Sequence, residues 1–393
     1  NVESISGDDY YKTASLGATA MFQNLLSTGY GMVGYGAHED PYKDGDWRHS
    51  GHFKYIFTGL WPVIEFSADF NDRAAMDIQK IQVSKGKMYR LYNKGTLTDK
   101  PYFEGGLKVY IPFNFSSGGI NRGLIPQVKY KFTNDRYNDQ ILFQHIVKKD
   151  GKDVTETYST IGENNISPLQ TLDASIRGYV MRQKAPSQVF PSLGFGAELG
   201  FHFRPGHMKA YNPTAYLYTY GYLPGFTARQ GLRLTASMEV WYGPYEEGGI
   251  MEGALTAIPR GFVDTNLKSI INSCSESRWR VTADYAIPFA DVDWSFLSPV
   301  AYVKNFELTP FFDWSYQTFS WNHELHYNPG AVTGENLFSV GADLTVRLGN
   351  FFWLPYDTQI GIRYARNFWH YIDRFPISNL NKDYIGWIFS ISL

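Results

Sequence analysis

No disulfide framework is available to this chain: a single cysteine, Cys274, stands among 393 residues, and a bridge needs two. Its serine-rich surroundings, 273–277, read as an ordinary loop. Charge is also scarce. Asp, Glu, Lys and Arg make up 19% of the chain and the formal net charge is −2, without a basic stripe, so nucleic acid is not an expected partner. No apolar run reaches the roughly 18 residues of a membrane-spanning helix. No charged-then-apolar leader opens the sequence at Asn1, which implies a removed secretory signal or a piece of a longer chain. No Pro-rich linker or change of composition divides the chain, so one domain over 1–393 is expected.

What is abundant is aromatic. Trp (10), Tyr (29) and Phe (28) make up 17% of the residues, beside 37 glycines. A membrane barrel of β-strands needs this combination: aromatic girdles at both interfaces, and a lumen that is free to be polar. Alternation with a period of two supports it. Over the last ten residues, Ile385, Trp387, Phe389, Ile391 and Leu393 share one face, and Tyr384, Gly386, Ile388, Ser390 and Ser392 the other. Val281, Ala283, Tyr285 and Ile287 oppose Thr282, Asp284 and Ala286; Phe306, Leu308, Pro310, Phe312 and Trp314 oppose Glu307, Thr309, Phe311, Asp313 and Ser315. In a bilayer the first set suits lipid and the second a lumen.

Marking each such run predicts sixteen strands, near 13–24, 28–38, 52–59, 62–71, 103–113, 123–134, 140–147, 170–183, 193–204, 213–220, 231–242, 279–289, 303–318, 336–348, 357–366 and 384–393. The expected fold is an all-β transmembrane antiparallel barrel, with an even strand number as bacterial single-chain barrels have. Long connections at 148–169, 243–278, 319–335 and 367–383 all follow odd-numbered strands. They are extracellular if both termini are periplasmic. Residues 72–102 break this rule, since they follow an even strand; a helix, an extra hairpin or a periplasmic insertion would account for them.

Motifs for chemistry are thin. Gly29-Tyr30-Gly31-Met32-Val33-Gly34 matches a dinucleotide-binding pattern, but its glycines alternate within a strand and continue to Gly36, where they relieve crowding in a barrel wall. His323-Glu324-Leu325-His326 is one residue short of a zinc-binding spacing. The expectation is no catalytic site, no metal, no cofactor and no enzymatic activity.

The 243–278 connection exceeds the length of ordinary loops and carries Ile258-Pro259-Arg260-Gly261-Phe262 at its middle. Arg-Gly-Phe in a long loop two-thirds along a sixteen-stranded barrel resembles the signature of the BamA-type superfamily of outer-membrane assembly factors, two-partner secretion pores and bacterial surface antigens. Thr282-Ala283-Asp284-Tyr285-Ala286-Ile287-Pro288 resembles the family's next strand, with Asp284 where Glu is usual. Phe311-Phe312-Asp313-Trp314-Ser315 resembles the strand after it, with Ser315 in place of Gly. The tyrosine run Tyr216, Tyr218, Tyr220 and Tyr222 is similar to that of Bacteroidetes-type surface-antigen barrels. The resemblance implies a loop that folds into the lumen and holds the barrel in register. Alternation independently puts Asp284, Phe311 and Asp313 on the luminal face. A buried arginine needs carboxylates, so Arg260 is expected to reach Asp284 and Asp313. Gly261 is expected to let the tip turn tightly and Phe262 to pack beside Phe311.

The resemblance further implies insertion or translocation of outer-membrane proteins. It would act through a seam between the first strand and the last, where Tyr384, Gly386, Ser390 and Ser392 stand. Expected partners are outer-membrane lipid and lipopolysaccharide, client outer-membrane proteins, other subunits of an outer-membrane complex, and an N-terminal periplasmic domain. The alternatives are a passive pore or receptor and a structural anchor barrel.

Overall fold

The computed structural model describes residues 16–40, 45–85, 88–160, 167–185, 188–206, 213–241, 258–263, 275–295, 298, 300–319, 333–351, 357–369 and 381–392. The fold is an antiparallel β-barrel. In chain order its strands are β1 (Leu16–Gln23), β2 (Gly29–Glu39), β3 (Trp47–Phe57), β4 (Val63–Lys85), β5 (Met88–Tyr110), the two-residue β6 (Phe113–Asn114), β7 (Ile120–Lys149), β8 (Lys152–Thr160) and β9 (Ser167–Arg182). They continue as β10 (Gly194–Phe203), β11 (Thr214–Pro224), β12 (Gly231–Trp241), β13 (Ser275–Trp294), β14 (Tyr302–Phe319), β15 (Thr333–Gly349), β16 (Asp357–Trp369) and β17 (Asp383–Ser392). Apart from β6, sixteen remain among the described residues, each of eight residues or more.

Polarity is inverted relative to a water-soluble fold. Phe312, Val340, Leu344, Ile362, Tyr364, Phe368, Ile385 and Trp387 are exposed, while Asp284, Asp313, Ser315, Gln317, Ser339, Asp343, Arg347 and Arg363 are buried. Alternation along each strand sends the first set outward to hydrocarbon and the second inward. The tyrosine run of β11 is on the inner face, where the Tyr216 and Tyr220 rings occupy the space left by Gly200 and Gly196 of β10. The glycines of β2 sit inside a strand, and a Cβ at Gly31 would meet the Phe22 ring.

The partition of strands differs from the sequence reading in one region, and that difference resolves its anomaly. Residues 123–134 and 140–147 belong to one strand, β7. The expected loop 148–169 contains β8 and the start of β9, and residues 72–102 form the hairpin of β4 and β5. Beyond the wall, β4 runs parallel to β7, from Asp77 beside Arg136 to Lys85 beside Ile146. β8 pairs with that same part of β7. A strand of 23 residues such as β4 is about 75 Å long at ~3.3 Å per residue, against an apolar band of about 25 Å, so this four-stranded extension stands outside the bilayer. Arg73 and Asp135 tie its base together, with Nη1 to Oδ1 at 3.0 Å, and Arg73 lies 3.9 Å from the Tyr102 ring centroid.

With β7 undivided and β8 outside the wall, the connections that follow β12, β14 and β16 leave the same end as the β4–β5 hairpin. The opposite end has the short connections and a belt of exposed aromatics: Trp61, Phe115, Phe226 and Trp294. In bacterial outer-membrane barrels the short turns mark the periplasmic end. β17 finishes there. β1, as described from Leu16, begins at the long-loop end.

Candidate functional site: the luminal seat of the Arg260 loop

Strand register builds the site. Across the inner wall, Arg233 of β12 lies opposite Asp284 of β13, Asp284 opposite Phe311 of β14, Phe311 opposite Gly341 of β15, and Gly341 opposite Ala365 of β16. The next inner row is Thr235, Thr282, Asp313, Ser339 and Asn367. A Cβ on Gly341 would overlap the Tyr364 carbonyl oxygen and come within 2.8 Å of Phe311 Cζ, so this glycine makes room for the phenyl ring.

Residues 258–263 of the long connection lie against these two rows. The remainder of the connection, 242–257 and 264–274 including Cys274, lies outside the described residues, as do His323–His326 and Leu393. Arg260 donates to Asp313 three times: from its main-chain N to Oδ2 at 2.9 Å, from Nε to Oδ2 at 2.8 Å and from Nη2 to Oδ1 at 2.7 Å. Its Nη2 is also 2.6 Å from Asp284 Oδ1. The guanidinium lies 4.0 Å from the centroid of the Phe311 ring, a cation–π contact strengthened by the exclusion of water. The carboxylates are 2% exposed at Asp284 and fully buried at Asp313. Such charges are tolerated inside only when paired and hydrogen-bonded. Further cations share them: Arg233 donates to Asp284 at 2.8 Å, and Arg280 Nη2 is 3.4 Å from Asp313. Arg363 forms a two-pronged pair with Asp343, both bonds at 2.7 Å, and lies 5.5 Å from the Phe311 ring centroid.

Neither a family model nor a curated protein matches the sequence. Solved structures do match. CdiB from Escherichia coli superposes with a TM-score of 0.50 at 9% identity, covering 97% of this chain and 60% of that one. The fold is that of the CdiB barrel. BamA from Haemophilus ducreyi lacking POTRA domains 1–3 aligns with a TM-score of 0.42 at 10% identity, over 95% of this chain and 66% of that one. The chain thus spans about 60% of the length of CdiB.

On this wall, two of the loop residues have partners that the sequence reading did not name. Gly261 does not have a positive φ; a Cβ there would overlap Asn367 Oδ1 and come within 2.6 Å of Ser339 Oγ. The tip does turn tightly, Phe262 N donating to the Pro259 carbonyl at 3.0 Å, and the close approach to the wall is what requires a glycine there. Its carbonyl accepts from Asn367 Nδ2 at 2.8 Å. Phe262 is buried and meets Trp369 edge-on, with ring centroids 6.2 Å apart, while Phe311 takes the arginines Arg260 and Arg363 on its ring.

Sequence reasoning did not single out Arg233, Arg280, Ser339, Arg363, Asn367 or Trp369 as parts of this site. Each follows its strand's inward phase, but only register shows that Ser339 and Asn367 lie beside Asp313. The seam residues lie elsewhere. Tyr384 and Gly386 of β17 face Ala365 and Arg363 of β16; Ser390 and Ser392 face Gln359 and Asp357, with side chains outside the described residues. Among the described residues, β1 has a register with β2 and none with β17.

Proposed function

We propose that this chain is an outer-membrane barrel of the BamA-like superfamily, which inserts or translocates other outer-membrane proteins, with residues 258–263 fixed as a luminal plug. The observation that carries this reading is the seat of Arg260 on Asp313 and Asp284, found in a barrel with the CdiB fold. A cation with this many partners anchors the loop across β13 and β14. The mechanism is mechanical: no step needs a nucleophile, a metal or a cofactor. β1 is exposed on both faces from Gly17 to Gln23, and a strand edge without a partner is a template for an incoming strand. In this reading β1 and β17 present such edges to a client chain.

Arg260→Ala tests it, by the difference in gel migration between heated and unheated barrel and by the membrane levels of client barrels. A fall in both is expected; no change in either would sink the plug. A second reading, a receptor or anchor barrel, is favoured by the four-stranded extension beyond the long-loop end. Client levels that stay normal on deletion of the whole chain would select it, and an open lumen with steady conductance would select a passive pore.

A further inference from the structure

The outward face of β7, β9, β10 and β11 is not smooth. Register aligns Leu124, Gly178, Ala197 and Thr219 in one outward row, continued by Ala236 of β12. After Leu124 the row consists of small residues. It is flanked by a row containing Val180 and Phe195 and by another containing Ile176 and Leu199, all exposed. The result is two apolar hollows of about 560 and 580 Å³, on either side of a ridge formed by Val180 and Phe195. The protein leaves them open. A Cβ at Gly178 would find nothing closer than 3.6 Å, and one at Gly221 nothing closer than 3.8 Å, whereas the inward glycines of β10 are covered by tyrosine rings.

Each hollow has one cation at its rim: Arg122 lines the first and Arg182 the second. Arg122 lies opposite Val180 and Ile120 opposite Arg182, so the two arginines are diagonal neighbours on one face of adjacent strands, about 7–8 Å apart at the backbone. Both are exposed, and neither meets a carboxylate among the described residues. They stand where β7 begins and β9 ends, at the short-turn end, beside the aromatic belt at Phe115. Two unneutralised guanidiniums there, directly below apolar hollows, match a phosphodiester whose acyl chains run toward the bilayer centre.

We propose that this face holds one diacyl phospholipid of the periplasmic leaflet, with its phosphate between Arg122 and Arg182 and its two chains straddling the Val180–Phe195 ridge. The proposal rests on the membrane-barrel reading above. Its chemistry differs from general wetting by lipid, because a phosphate, two chains and a fixed location are all specified.

The test is native mass spectrometry of the barrel released from nanodiscs that contain either phosphatidylglycerol or diacylglycerol with the same chains. One phosphatidylglycerol is expected to stay bound, about tenfold more often than diacylglycerol. Arg122→Gln with Arg182→Gln should remove that preference. Gly178→Phe, whose Cβ would meet nothing closer than 3.6 Å and whose ring would occupy the first hollow, should lower retention while gel migration stays barrel-like. Equal retention of the two lipids, or retention unaffected by either variant, overturns the site. Displacement by millimolar inorganic phosphate overturns the lipid assignment in favour of a simple anion site. A wild-type chain that fails to insert into phosphatidylglycerol vesicles overturns the membrane reading instead.

Discussion

Arg260 grips Asp313 with its side chain and its main chain together: Nε, Nη2 and the backbone N all donate to the one carboxylate. That pairs the charge and also fixes the path of the chain at the loop tip. Because Asp313 is central in β14 and fully buried, the loop is referenced to the wall and not to another loop.

Removing either partner should therefore be costly. Arg260→Ala or Asp313→Ala is expected to destabilise the folded barrel by up to about 3–5 kcal/mol, since each removes the main partner of a buried charge. The double variant should cost less than the sum. Urea titration of barrels in vesicles measures all three. Additive effects would contradict the pairing.

Gly261→Ala should unseat the loop although it adds one methyl group, because its Cβ would overlap Asn367 Oδ1. In a Cys274→Ser background, a cysteine placed by Phe262→Cys should resist maleimide, and adding Gly261→Ala should expose it. Equal labelling with and without Gly261→Ala would show that the wall yields at no cost.

Outward and inward positions should respond oppositely to charge. Leu344→Lys faces hydrocarbon and is expected to cost about 2–4 kcal/mol if it lies near the midplane. The adjacent Asp343 already carries a charge inward, on Arg363, and Leu344 is 49% exposed. Folding yield into vesicles against denaturant reads the difference. A neutral Leu344→Lys would remove the claim that this face meets lipid.

Asp135 should matter to the extension and not to the wall. Asp135→Ala removes the carboxylate shared by Arg73 and the main-chain N of Met76, which donates to Asp135 Oδ1 at 2.8 Å. Limited proteolysis should then nick within 77–97 or 136–160 while gel migration stays barrel-like. Loss of the barrel form would place the pair in the wall's own stability.

Much of the fold was legible because a membrane barrel repeats one rule at every strand. The inward phase of Asp284, Phe311 and Asp313 followed from alternation alone. The region 120–160 was not legible, because β7 keeps its alternation through the point where it leaves the wall. Polar residues at Asn134, Asp135 and Arg136 resemble a turn, but Asp135 is buried against Arg73. Mistaking a salt-bridged corner for a turn split one strand into two, and that shifted the parity of every connection after it.

The sequence by itself determined that this is a barrel, which face of each strand looks inward, and that Arg260 needs carboxylates. Those depend on neighbours along the chain and on the cost of a buried charge, and both can be read from residue order. Only the tertiary structure decided that Gly261 abuts Asn367, that Phe262 meets Trp369, and that Arg122 and Arg182 share one outward corner. Each of these joins strands far apart in sequence, and register, which composition and period leave free, chooses the partners.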